Sequence, residues 1–340
     1  MCRTTIVAAF LALLAATNLA DVAQAADEIG SKLPVAVEPL IRWLPSDTET
    51  VIVTQGVRVF RPTVDERPRE PSFWESMQRL SHSEIWSFRD GLMRNELSGS
   101  RIVVAVEGSR HFRSPRDLGL LPYEGCQIVR FDETADDAVF NAFQACLKAA
   151  KRHEEIDGQQ VAVFEERYEQ DDWTILVARP QPDVLLCATN RKYLAEVLRR
   201  MNGEAKDRAL PESLPEWEHV NTAAAVWGLR HYKKVDADKD PSSPLASYCA
   251  YGEHDGEAVG FVFWYDPEKD KRAELRYLSN ATNAVKMMKD RWFSPHYQMR
   301  PEIDQARPGV VRISYATGKQ DRRDVFLLLI MGYLGHGVFI

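Results

Sequence analysis

The stretches "DADKDPSSPLAS" and "GEHDGE" carry the densest sets of side chains that could do chemistry. In the first, Asp236, Asp238 and Asp240 alternate, which is how a calcium loop aims carboxylates at one hard cation. Pro241 stands where that loop needs its turn glycine and Ser247 where it needs its bidentate Glu, so the stretch reads as a solvated acidic loop. In the second, Glu253, His254 and Asp255 follow one another, but three neighbours on a hairpin tip point in different directions and cannot close a site unaided. His231, near the end of a long strand, and His153, beside Glu154 and Glu155, have no partner visible in the sequence and read as structural or exposed rather than catalytic. HExxH, a P-loop, GxSxG, GxGxxG and a CxxC pair are all absent. The expectation is no catalytic set and no cofactor, with Asp236, Asp238 and Asp240 as weak metal candidates.

The elements that must position these residues follow from local pattern. Pro45 and Asp47 mark a turn, and Thr50 to Phe60 is a β-branched run that predicts a strand. A Pro-rich polar loop leads to Ser72 and Glu75, a capping box that opens a helix, and a second helical stretch carries Ile85, Phe88 and Leu92 on one face. Strands are predicted at "RIVVAVE" and "CQIVRF", then a helix from about Asp136 to Arg152, with Thr134 and Asp137 as its cap and Val139, Phe143, Cys146 and Ala150 as its apolar stripe. "VAVFEERY", "WTILVA" and "DVLLCA" follow as strands, and Asn190 opens a helix that Gly203 stops.

Composition shifts at "GEAKDRALPESLPEWE", which has few packing residues and reads as a linker. Beyond it come strands at "TAAAVWGLRHY", "LASYCAY", "AVGFVFWY" and "RAELRYLS", the middle pair joined at Asp255-Gly256, then a helix capped by Asn280 and a strand at "GVVRISYA". Asn280-Ala281-Thr282 is also a glycosylation sequon, which the helix cap explains without a glycan. Strands outnumber helices and adjoin in hairpins, which predicts an α+β fold: antiparallel sheets with helices packed on them. The organisation expected is 1–25 signal peptide, 26–36 linker, 37–203 first α+β half, 204–216 linker, and 217–340 second half with an apolar C-terminal helix. Two echoes suggest divergent halves. "GVRVF" at Gly56 resembles "GLRHY" at Gly228, and "LLCATNRKYLAEVL" resembles "ISYATGKQDRRDVF".

The chain ends bear on where the protein acts. Arg3, an apolar run from Ile6 to Ala16 and Ala23-Gln24-Ala25 form a secretory signal, so export to the periplasm or beyond is expected after cleavage near Ala25. The last 16 residues, Val325 to Ile340, hold no Asp, Glu, Lys or Arg. At about 1.5 Å rise per residue they span roughly 24 Å of helix, short of the roughly 30 Å hydrocarbon core. Gly332, Gly335 and Gly337 interrupt them, and a buried terminal helix is favoured over an anchor or membrane contact. Loss of Cys2 with the signal leaves Cys126, Cys146, Cys187 and Cys249, which permits two disulfides, yet all sit in strand or helix interiors where a thiol packs as a small hydrophobe. Trp86, Trp217, Trp227, Trp264 and Trp292 could line a groove, but each adjoins an apolar segment and reads as core. A net charge of -7 without a clustered basic run disfavours nucleic acid as a partner.

At "LPSDTETVIV", the entry after the signal, the chain resembles exported proteins of unknown function from planctomycete-type bacteria. The resemblance covers this motif and the strand-then-helix layout of residues 37–340, carries no catalytic residues across, and implies an exported α+β protein. A non-catalytic binding or envelope-associated module, with a protein or small-molecule ligand, is the function expected. The rival is a motif-poor hydrolase using carboxylates and histidines such as Glu253, His254 or Asp236.

Overall fold

The computed structural model describes residues 33–58, 96–97, 99–110, 124–168, 171–204, 207–224, 226–231, 246–251, 258–264, 279, 300–307 and 310–316. The β-branched runs become strands of one antiparallel sheet. In chain order they are β1 (Thr50–Arg58), β2 (Arg101–Arg110), β3 (Glu124–Phe131), β4 (Arg152–Ile156), β5 (Gln159–Tyr168), β6 (Asp171–Gln181) and β7 (Val184–Ala188). The second half adds β8 (Val226–His231), β9 (Ala246–Tyr251), β10 (Ala258–Trp264), β11 (Arg300–Arg307) and β12 (Val310–Ala316). The twelve lie in the order β11-β12-β10-β9-β8-β1-β2-β3-β7-β6-β5-β4.

That order repeats outward from the central β1–β8 pair. Each half starts with a three-strand meander, β1-β2-β3 or β8-β9-β10, and then brings a later strand back beside the third, β7 on β3 and β12 on β10. The strand before the returning one pairs on its outer side, β6 on β7 and β11 on β12.

Helices cover both faces of the first half. On one side lie α1 (Glu38–Trp43) and α3 (Arg191–Arg199), whose Leu40, Ile41, Tyr193, Leu194 and Val197 pack on Val51, Val53, Val104, Val106 and Ile128. On the other lies α2 (Asp136–Ala149), burying Val139, Ala142, Phe143, Cys146 and Leu147 against Val129, Phe164, Ile175 and Val177. Covered twice, β3 and β7 are buried almost throughout rather than on alternate residues, and β7 is a continuous apolar run. α3 has its cap in Asn190, whose side chain accepts from the N–H groups of Lys192 and Tyr193, and it runs on into a π turn, Arg200–Glu204, where Gly203 leaves helical geometry at φ 99°.

Some expectations are corrected, while the readings of the cysteines as core thiols and of Trp217 and Trp227 as core hold where the structure describes them. Neither Thr134 nor Asp137 caps α2: its N-cap is Ala135, and the Thr134 hydroxyl instead donates to Asp132 Oδ1 at 2.7 Å. Arg152 belongs to β4, not to the helix. The stretch read as having few packing residues is core: Arg208, Ala209, Leu210, Glu216 and Trp217 are all buried. Cys126 packs on the α3 side of the sheet, Cys146 and Cys187 on the α2 side, all as buried thiols. Trp217 and Trp227 are fully buried, edge to face with ring centroids 5.9 Å apart. No helix among the described residues is long and apolar enough to cross a membrane. The helices expected after Ser72 and Asn280, the strand "RAELRYLS" up to Leu278, the sequon, Trp86, Trp292 and the tail from Val325 lie outside the described residues.

Candidate functional site

Among the described residues, a dense polar cluster surrounds the turn of "LPSDTETVIV", at one end of the central strands. Pro45 starts the turn and its carbonyl accepts from Thr48 N–H at 3.0 Å. Leu44 anchors the turn in the core beside Gly108. On one side Glu49 N–H donates to Ser109 of β2, and on the other His231 N–H of β8 donates to Glu49 O at 2.8 Å. The turn therefore joins the edges of both meanders.

Side chains extend the joint. Arg110, last residue of β2, donates from Nη1 to Asp47 at 2.5 Å and from Nε to Glu124 at 3.0 Å, with Glu196 3.5 Å away. Its guanidinium lies 5.0 Å over the Tyr193 ring. Tyr193 and Thr48 share a hydrogen bond of 2.7 Å in the interior. Asn190 Nδ2 donates to the second oxygen of Glu124 at 3.2 Å, and Thr189 N–H donates to Gly125 O, so the start of α3 is tied to the start of β3. One cation thus holds three carboxylates drawn from the turn, β3 and α3.

Electrostatics follows from burial and pairing. Burial pushes the Arg110 guanidinium down, but the hydrogen bonds from Arg110 to Asp47 and Glu124 outweigh it and hold its pKa above the ordinary value. Burial pushes the Tyr193 phenol well above its usual range, and the Thr48 hydrogen bond opposes this only in part.

Beside this clamp lies a second pair. His231 Nδ1 is 2.6 Å from Glu216 Oε1. Glu216 sits on the short 3-10 turn Pro215–His219 and is 3% exposed, and its other oxygen has no partner among the described residues. His231 is therefore not isolated, and neither is His153, whose Nε2 donates to the carbonyl of Leu147 near the end of α2.

Sequence reading missed Arg110, Glu124, Tyr193 and Glu216. Tyr193 stands one turn past the Asn190 cap and Glu216 follows Pro215 beside a Trp, which are usable signals. The pairing of Arg110 with Glu124 needs the antiparallel register and has none. Asp236, Asp238, Asp240, Glu253, His254 and Asp255 lie outside the described residues, and among those described no three His, Cys, Asp or Glu side chains converge as metal ligands would. Compared with protein-family models, with curated proteins and with solved structures, the chain matches none.

Proposed function

We propose that the protein is an exported, non-catalytic binding or envelope-associated module. The observation that supports it is how the buried cations are used. Arg110 is spent on Asp47, Glu124 and Glu196; Arg200 donates to the carbonyls of Arg42 and Asp207 and to the Asp207 carboxylate; Arg208 donates to Glu38, Glu212 and the carbonyl of Leu210. A site that stabilises developing charge keeps its donors aimed at the reacting atoms. Arg208 Nη2 is buried without a partner among the described residues, and the bonds these cations do make go to turns and helix ends and tie the sheet to its covering segments. The signal-like start supports export, and a protein or small-molecule ligand of the envelope suits such a scaffold.

Fractionation with mass-spectrometric mapping of the N-terminus should recover a chain beginning near Ala26 outside the cytoplasm; an unprocessed Met1 in the cytoplasm would sink the export half. The purified chain should co-sediment with the cell-envelope fraction and leave chromogenic esters, peptides and glycosides intact. Turnover of any of them that His231→Ala abolishes would replace this reading with the rival hydrolase.

A further inference from the structure

We propose that the central strands carry a binding site for a free α-amino acid, built from Ser109, Thr50, Arg230, Glu107 and Gln127; the proposal deepens the binding-module reading and rests on it. Register sets the site. Val51, Val53 and Leu229 pack on the α1 and α3 side, so Thr50, Ile52 and Arg230 alternate to the other face. Thr50 of β1 lies opposite Ser109 of β2 on one side and Arg230 of β8 on the other, which puts two hydroxyls and a guanidinium in one row across three strands. Two residues along β1, Ile52 lies opposite Glu107, and Glu107 lies opposite Gln127 of β3. Neighbouring strands are about 4.8 Å apart and the two rows about 7 Å apart, so side chains of both rows can meet one small molecule between them.

The surroundings set these rows apart. The row of Glu107 and Gln127 runs on through Cys187 and Val177 on one side and, past Ile52, through Gly228, Cys249 and Phe261 on the other. Two polar residues thus interrupt an apolar row on central strands, not at a sheet edge. The neighbouring row, Ala105, Val129 and Leu185, is apolar and buried with α2. Thr50 is 3% exposed, Ser109 5% and Gln127 6%, and burying such groups is costly unless they are bonded. The Thr50 hydroxyl oxygen has no partner among the described residues. Glu107 and Arg230 are more open, and they and Gln127 each take part in interactions within the protein, which hold them in place. Capacity remains, because a guanidinium has several N–H donors and a carboxylate about four acceptor sites.

Each row suits one end of the zwitterion. Ser109, Thr50 and Arg230 supply donors, and a carboxylate placed on them accepts from both hydroxyls and from the guanidinium. The side-chain oxygens of Glu107 and Gln127 accept, and an ammonium group donates to them. One cation and one anion on the protein match the two charges of the ligand, so both stay compensated away from water. A simple anion would face Glu107 uncompensated, a simple cation would face Arg230, and a neutral sugar would match neither charge.

The test is calorimetric titration of the purified protein with each of the common L-amino acids, and with the N-acetyl and methyl-ester derivatives of any that binds. At least one should bind and raise the melting temperature, and blocking either end should weaken it roughly tenfold or more, the loss expected for one charge-assisted contact. Arg230→Met should weaken the free amino acid to a similar extent. Glu107→Gln should do the same and should also bring the free and N-acetyl forms closer in affinity. Failure of every amino acid to bind, or binding indifferent to both blocked ends, would overturn the site, and this series on the unmodified protein decides even where a variant does not fold. Unchanged affinity in both folded variants would overturn its location. An exported chain that leaves the chromogenic substrates intact yet binds no amino acid refutes this site alone, whereas turnover of those substrates refutes the binding-module reading.

Discussion

Gly108→Ala should destabilise the protein through a contact that begins in the "LPSDTETVIV" turn. A Cβ built at position 108 would lie 2.6 and 2.7 Å from the two terminal carbons of Leu44 and 3.0 Å from the Tyr193 hydroxyl. Leu44 is fully buried and Tyr193 is held by Thr48, so neither side chain yields without losing packing or a hydrogen bond. Overpacking of this kind costs about 1 to 3 kcal/mol. In a chain of this size that lowers the melting temperature by roughly 2 to 6 °C, at about 2 °C per kcal/mol. Leu44→Ala alone should cost about 2 to 5 kcal/mol through lost burial and the cavity left behind. In the double variant the new methyl occupies part of the space vacated by Leu44, so the combined loss should fall short of the sum by about 1 kcal/mol or more. Urea unfolding followed by tryptophan fluorescence measures all four proteins. A Gly108→Ala variant as stable as the parent, or a double variant whose loss equals the sum, would refute the notch that seats this turn.

Other outcomes follow from the same contacts. Asn190→Ala removes the acceptor for the Lys192 and Tyr193 N–H groups and should cost about 0.5 to 2 kcal/mol in the same urea assay, with Asn190→Asp or Asn190→Ser recovering most of it. Because burial holds the folded Tyr193 phenol protonated while the unfolded chain ionises it near pH 10, stability should be intact below about pH 10 and fall above it, by up to about 1.4 kcal/mol per pH unit. Tyr193→Phe should be weaker at neutral pH, through the stranded Thr48 hydroxyl, yet lose that alkaline slope; equal slopes would count against it. Truncation at Asp324 removes an apolar tail that lies outside the described residues, and the shortened chain should unfold or aggregate; a folded product with an unchanged melting temperature that merely leaves the membrane fraction would make the tail an anchor.

Much of the architecture was legible because the signals were local. Asn190 and Gly203 bracket α3 and the π turn that continues it, and the runs that became β2, β6, β7 and β12 are apolar or β-branched and bounded by turn residues. Other elements were legible but overlooked. Asp157-Gly158 makes the two-residue hairpin between β4 and β5 with φ 47° and 75°, the pairing that a tight primed turn requires, and it announces β4 as plainly as Asp255-Gly256 suggests a turn later. α1 and β11 were hidden for a different reason. Six residues with no side-chain cap make a helix only because Leu40 and Ile41 are buried by the sheet, and β11 carries Pro301, Glu302 and Asp304, which suit an edge rather than an apolar run. The polar cluster was least legible. Arg110 meets Asp47, Glu124 and Glu196 from three separate elements, and only strand order and register bring them together.

The ladders also decide between the two sequence echoes. Ala188 and Ala316 end β7 and β12, and they face Cys126 of β3 and Ala258 of β10, so the Ala-Thr echo makes Cys126 and Ala258 counterparts. Following the pairings inward, Gln127 matches Val259, Glu107 matches Tyr251, and Ile52 matches Val226. Val53 then matches Trp227, and these two residues face each other across the β1–β8 pair, as residues on a local two-fold axis must. In this register Gly56 corresponds to Arg230 and not to Gly228, so the glycine echo is two residues out of step and cannot be correct together with the other. The same register aligns Asp47-Thr48 with Asn221-Thr222, each leading into a central strand. It also sets Asp321 and Arg322 against Tyr193 and Leu194, but Val325 and Phe326 against Val197 and Leu198. If the halves diverged from one unit, the aromatic clamp on Arg110 arose in the first half alone, while only the second turn of the apolar stripe that seats α3, Val197 and Leu198, has apolar counterparts in the tail. That is the physical reason to expect the truncated chain to lose its fold rather than its membrane.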